Sequence, residues 1–225
     1  MFRTKDGWVQ EYQRKGALWI HDENPKRPHA LLTSGGHSSG FFNSELVAED
    51  TLIHDEACRD LVYLLGEHGL NAKDVDRVVG PAMGAITMAD GVSRHVGRAD
   101  SRSCLRAYTE KETGGDGKLM VFKRTTIHPG ERVLFVEDVL TTGGSVELSV
   151  AAVAVAGGIA LPFVAVLVNR SGLKEVNGKK IVALIDRPMP TWFPSKEKCP
   201  LCEQGSEAIR PKTPVENWQR LNDVC

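Results

Sequence analysis

Aromatic residues are scarce in this 225-residue chain, at 6%, and neither sign of charge prevails, with 28 Lys and Arg against 29 Asp and Glu. Such a balance offers no basic face for nucleic acid and no cationic stripe for a membrane surface, so the expected partners are small molecules. The five cysteines have no regular spacing, which speaks against a disulfide framework, and the opening MFRTKDGWVQ lacks the apolar core of a secretory signal. A reducing cytoplasm is the expected compartment. Long apolar runs are also nearly missing. The stretch 148–168 carries no charge and has the length to span a bilayer, but Gly157, Gly158 and Pro162 divide it into an alanine-rich helix and a β-branched strand, which excludes a membrane span. No internal repeat or low-complexity tract is present.

What is there is concentrated in 133–145, VLFVEDVLTTGGS. Apolar residues bounded by charge read as a buried strand, and the apolar run 146–156 reads as a helix leaving the turn between them. Free backbone N–H groups at a helix start favour an anion. Gly143 and Gly144 allow close approach, and Thr141, Thr142 and Ser145 add hydroxyl donors, so the turn suits a phosphate. Glu137 and Asp138, just before it, repel that phosphate and suit ribose hydroxyls or a hydrated magnesium ion. No Lys-Ser or Lys-Thr follows the glycines, which excludes a Walker A loop.

Periodicity predicts helices over 8–18, 52–66, 85–96 and 146–156, and strands over 75–79, 103–108, 132–136, 163–168 and 181–185. Strands 30–33 and 41–46 flank SGGHSSG and are expected to form a hairpin. The alternation implies an α/β fold with a mostly parallel sheet flanked by helices. Such sheets bind ligands beyond the carboxyl ends of their strands, where the loops 80–85, 137–145 and 169–172 are expected. The expected organisation is one structural domain, with an N-terminal helix and hood over 1–50, a core over 51–188 and a C-terminal extension over 189–225.

The acidic pair and TTGGS turn resemble the phosphoribosyl-pyrophosphate (PRPP) signature of type I phosphoribosyltransferases. The resemblance, over about 31–211, is to the orotate-using branch of that family. It implies a type I fold with an N-terminal hood and a flexible lid loop. The hood is matched by LTSGGHSSGFFN, in which Ser34, Gly35, Phe41 and Phe42 would meet orotate together with Thr141 and Arg170. The pyrophosphate loop is matched by GPAMGA, so Pro81, Ala82, Met83 and Gly84 join Glu137, Asp138 and 141–145 in the implied PRPP site. The lid is matched by YTEKETGGDGK, where Lys111 and Lys118 are the implied catalytic cations, with Asp138 at the ribose and Lys111 also on PRPP. The implied reaction gives orotidine 5′-phosphate and pyrophosphate in de novo pyrimidine biosynthesis. It needs Mg2+, bound through PRPP and water near Glu137 and Asp138 and not directly by the protein. The implied assembly is a homodimer sharing its lid across the interface.

Two departures separate the chain from the enteric form of the branch, which has Lys in place of Thr33 and Tyr-Lys in place of Met83-Gly84. Pyrophosphate neutralisation then falls to Lys111, Lys118 or Arg106 and to magnesium. The chain is similar to a second form with a Cys-Pro-x-Cys tail, here Cys199-Pro200-Leu201-Cys202. A structural zinc site needs four ligands, and in sequence Cys199 and Cys202 have neither a second CxxC nor a nearby His pair, which leaves them weak zinc candidates. The rival functions are a purine or uracil phosphoribosyltransferase, which the hood and Arg170 disfavour, and a non-catalytic PRPP-sensing regulator, which would carry a nucleic-acid-binding face.

Overall fold

The computed structural model describes residues 2–114 and 117–223. In chain order the elements are α1 (Lys5–Arg14), β1 (Leu18–Ile20), β2 (His29–Leu31), β3 (His37–Ser38), β4 (Gly40–Phe42), α2 (Glu45–Ala48), α3 (Thr51–Glu67), a 3-10 turn (Ala72–Asp74), β5 (Arg77–Pro81), α4 (Ile86–Ala99), β6 (Leu105–Gly114), β7 (Gly117–Val121), β8 (Arg132–Leu140), α5 (Gly144–Val155), β9 (Ile159–Asn169), β10 (Glu175–Val176), β11 (Lys179–Asp186), β12 (Thr191–Trp192), α6 (Pro200–Glu203), β13 (Ala208–Ile209) and α7 (Glu216–Asn222). They form two compact units, one of Met1–Gln10 with Ser44–Arg187, the other of Glu11–Asn43 with Pro188–Cys225.

The first unit is built on a seven-stranded sheet of order β10-β11-β9-β8-β5-β6-β7. Its five central strands run parallel and only the edge strands β10 and β7 are antiparallel. This is the α/β sheet expected from the alternation of strand and helix patterns. Helix α3 starts where the Asp50 carboxylate accepts the N–H of Ile53, an N-cap that satisfies an otherwise orphaned donor. The core against α5 contains Val79, Val133, Phe135, Val146, Val153 and Val164, all essentially buried. Ion pairs lock the strand starts: Arg77 of β5 pairs with Glu131, and Arg132 of β8 with Asp76. The carboxyl ends are thereby left to the loops.

The uncharged stretch resolves into α5 and β9, with Gly157 at φ +80° in the turn between them. No helix among the described residues is long and apolar enough to cross a membrane. The strand expected over 103–108 runs on to Gly114 and forms an antiparallel hairpin with β7, in register Lys111↔Met120 and Thr113↔Lys118. Gly115 and Asp116, in the expected lid, lie outside the described residues.

The second unit contains the four-stranded sheet β12-β3-β2-β13 and the pair β1-β4. Here the expected hairpin needs correction. Strand β2 turns back onto β3, not onto the Phe41–Phe42 strand, through a tight turn closed by the N–H of Leu32 on the oxygen of Gly36 at 2.8 Å. Gly36 is required there, because a Cβ would lie 2.7 Å from Thr191 Cγ2. Phe41 instead pairs with Trp19 of β1, a short strand hidden in the sequence because periodicity carries the first helix on to 18. The chain leaves the helix at Gly16, in the left-handed region at φ +61°. Residues 45 and 46, the end of the strand expected over 41–46, instead open the helix α2. A small core of Trp19, Ala30, Leu32, Ile209 and Leu221 holds this unit together.

Candidate active site

Strand β8 carries the acidic pair just before its end at Leu140, and the chain turns through Thr141–Gly143 into α5. Gly143 is the N-cap, at φ +83° in the left-handed region, and a Cβ there would fall 2.5 Å from Val176 Cγ2. Only glycine fits both constraints. The side chain of the N-cap makes no hydrogen bond, as glycine has none, so the first N–H groups of this twelve-residue helix stay available to an anion.

The loop after β5 approaches the same turn. A Cβ on Gly84 would lie 2.5 Å from Asp138 Oδ2, so the backbone of the 81–85 loop rests directly on the Asp138 carboxylate. Gly80 is equally confined, since a Cβ there would lie 2.6 Å from Ala85 O. The loop is tied to the next strand by the N–H of Ala82 donating to Thr109 O at 2.7 Å. Met83 projects outward and is 79% exposed, which leaves its backbone at the edge of the site.

Thr109 is a residue that sequence reading missed. Its carbonyl holds the 81–85 loop, and its hydroxyl meets Ser149 Oγ at 2.7 Å. Ser149 in turn donates to Ser145 O in the first turn of α5 at 2.9 Å. Both side chains are fully buried, so this chain of hydrogen bonds fixes the two loops relative to each other. The only sequence signal is a polar residue, Ser149, between Leu148 and Val150 in α5.

The carboxyl of Glu137 is held well above its ordinary range, first by burial and then by the adjacent Asp138 carboxylate. The charge of Lys111 opposes that rise at Glu137. Lys111 and Lys118 share one face of the β6–β7 hairpin, since each lies an even number of positions from the other in register. Glu110 and Glu112 on the opposite face are engaged by Arg124 and Lys123. Arg106, the third cation considered for pyrophosphate, pairs with Asp90 at 3.1 Å.

Arg170 follows β9, with its N–H on Leu140 O at 3.1 Å, which brings it beside the end of β8. It is 3% exposed, and burial lowers its guanidinium to about 10, still cationic at neutral pH. Ser34, Gly35, Phe41 and Phe42 belong to the other unit. Phe42 is packed in that unit's interior, 1% exposed, with its ring edge-on to Tyr12 at 5.5 Å. Phe41 is half-buried against Trp218.

The raised Glu137 carboxyl has a measurable consequence. Below its ordinary value of 4.5 both folded and unfolded chains hold the proton. As pH rises from there, the unfolded chain sheds it first and stability falls until the native group also ionises. Glu137→Gln is expected to flatten that decline and to raise the melting temperature of the ligand-free protein at neutral pH by a few degrees. Melting curves of both proteins from pH 4 to 8 check this. Equal slopes would show that Glu137 ionises normally.

The phosphoribosyl transferase domain model matches residues 51–196. The chain is 37% identical over 183 residues to the orotate phosphoribosyltransferase of Desulforamulus reducens, covering 81% of this chain and 87% of that protein. It is 35% identical over 209 residues to that of Pelotomaculum thermopropionicum, covering 92% and 97%. The crystal structure of orotate phosphoribosyltransferase from Aeropyrum pernix superposes with a TM-score of 0.59 at 25% identity, over 79% of this chain and 92% of that one. With the parallel sheet, the acidic pair and the glycine turn at the carboxyl end of β8, these likenesses show that the chain belongs to the orotate phosphoribosyltransferase family of type I phosphoribosyltransferases.

Proposed function

We infer that this protein transfers the 5-phosphoribosyl group of PRPP to orotate, giving orotidine 5′-phosphate and pyrophosphate in pyrimidine biosynthesis. The observation that carries the reading is the Asp138 carboxylate resting on the Gly84 backbone beside an uncapped helix start, within a chain that its orotate-family relatives match almost end to end. The Thr141–Ser145 turn binds the 5′-phosphate. Glu137 and Asp138 hold the ribose hydroxyls, and the backbone of 81–84 faces the pyrophosphate. Arg170 binds the planar base, for which a guanidinium fork is suited.

Charge develops in two places as the glycosidic bond forms, positive on the ribose ring and negative on the leaving group. The protein's part is to orient the two substrates in line and to supply cations, Lys111 and Lys118, at the leaving group. The hard oxygens of Glu137 and Asp138 fit a hydrated magnesium ion held with PRPP, and when bound it neutralises pyrophosphate. We also propose a twofold dimer, with the β6–β7 hairpin acting as a lid that excludes water from PRPP, in a cytoplasmic setting.

An ultraviolet assay of orotate loss, with PRPP and magnesium and with uracil, hypoxanthine and adenine run beside it, tests the reading. Orotate alone should be consumed, and only with PRPP and the metal both present. Turnover of another base with orotate inert would overturn the specificity.

Arg170→Ala is expected to raise the KM for orotate about 30-fold, the factor that loss of a charge-assisted contact of about 2 kcal/mol gives, with much less effect on the KM for PRPP. Arg170→Lys keeps the charge but loses the fork, and should recover only part of the loss. Equal effects on both substrates would place Arg170 away from the base.

A further inference from the structure

Outside the first unit, the second unit brings four metal-ligating side chains together from distant parts of the chain. His29 and His37 stand on the β2–β3 hairpin, and Cys199 and Cys202 on the turn into α6. The antiparallel register Leu31↔His37 sets His37 on the face of Leu31, and therefore on the face of His29 two residues before it. Pro200 opens α6 directly after Cys199, so the short helix turns both thiols to one side. One ligand atom from each of the four lies within 4.8 Å of all the others.

The separations have the size of a metal's coordination shell. His29 Nε2 is 3.0 Å from His37 Nδ1, 3.5 Å from Cys202 Sγ and 3.7 Å from Cys199 Sγ, and His37 Nδ1 is 3.2 Å from Cys202 Sγ. Zinc with bonds of about 2.0 Å to nitrogen and 2.3 Å to sulfur gives tetrahedral edges of roughly 3.3–3.8 Å. The His29 ring is also oriented for it. Ser206 donates its hydroxyl proton to Arg27 O at 2.6 Å, so Ser206 Oγ accepts from His29 Nδ1 at 2.8 Å. That leaves the lone pair of His29 Nε2 aimed into the cluster, the outer-shell arrangement typical of a metal-bound histidine.

The unit has reason to need such a clip. It comprises about seventy residues from two ends of the chain, with strands of two or three residues and a small core. Units of that size rarely gain enough from apolar burial alone. We propose that His29, His37, Cys199 and Cys202 form a structural zinc site that fastens the amino-terminal hairpin to the carboxyl-terminal segment. Four protein ligands complete the tetrahedron and leave no open position, so the site is structural and independent of the phosphoribosyl reaction. This reverses the expectation from sequence that the CxxC pair lacks partners: the histidines are 170 and 165 positions away from the cysteines they face, Cys199 and Cys202 respectively.

Elemental analysis of the full-length protein, purified without chelator and dialysed against trace zinc, tests the proposal. About one tightly held zinc per chain is expected in the wild type, and less than a tenth of that in Cys199→Ser/Cys202→Ser. The measurement that needs no variant uses the wild-type chain alone. Stripping the metal should lower the melting temperature, zinc but not magnesium should restore it, and cobalt(II) in its place should show the strong visible absorption of a tetrahedral thiolate site. Protein without zinc after this loading, a double variant that keeps it, cobalt(II) with the weak bands of an octahedral site, or an intact mass lighter by two hydrogens, as a Cys199–Cys202 disulfide gives, would each overturn the site. Orotate turnover is not the readout, so failure here leaves the proposed activity standing.

Discussion

Asp138→Ala is expected to lower turnover by at least about a hundredfold, the scale on which loss of a preorganised polar contact at a reacting centre acts, and to weaken PRPP binding in a chain that still folds. The carboxylate sits at the end of β8, half-buried, with the Gly84 backbone against it. None of the buried apolar cluster beneath the sheet depends on it. The replacement has a second effect that a merely unfolded protein could not mimic. Because the Asp138 carboxylate helps to hold the Glu137 carboxyl high, its removal should let Glu137 titrate closer to its ordinary value and reduce the decline in stability above pH 4.5. Calorimetry of PRPP binding, with melting curves on the same sample, separates the two effects. Asp138→Asn is the isosteric control. A folded alanine variant with unchanged affinity and turnover would remove Asp138 from the ribose site.

The two halves of this molecule are legible in the sequence to different degrees, for a physical reason. The PRPP turn is local: thirteen consecutive residues contain the strand, the acids, the left-handed glycine and the helix start, so the sequence alone carries its meaning. The parallel strands β5, β8, β9 and β11 announce themselves through buried Val and Ile runs. Long-range pairing carries no such local mark. Nothing near Leu18–Ile20 reveals that its partner is Gly40–Phe42, and nothing near His29 or His37 reveals the cysteines of the tail. Thr109 and Ser149 are hidden for a related reason. A buried hydroxyl on a strand reads as ordinary β-propensity until its partner across 40 positions is known.

The lid yields the last expected result. In the dimer we propose, a lid that crosses the interface makes two inactive variants complement each other, provided their lesions fall in different chains of one site. In a mixed dimer one site then carries both lesions and the other neither. Random pairing makes about half of the dimers mixed, each with one intact site of two, so the pool should recover roughly a quarter of wild-type activity. The hairpin now distinguishes its two lysines. Within one chain the Lys111 charge opposes the rise of the Glu137 carboxyl, whereas Lys118 stands further along the hairpin, opposite Thr113. Lys111→Ala refolded with Asp138→Ala should therefore stay inactive, because each site of a mixed dimer then carries one lesion and neither is intact. Lys118→Ala refolded with Asp138→Ala should recover the quarter. Mass spectrometry must show heterodimers in both mixtures. Recovery with Lys111→Ala would mean that the whole hairpin crosses to the partner, and no recovery with either would mean that the lid closes over its own subunit.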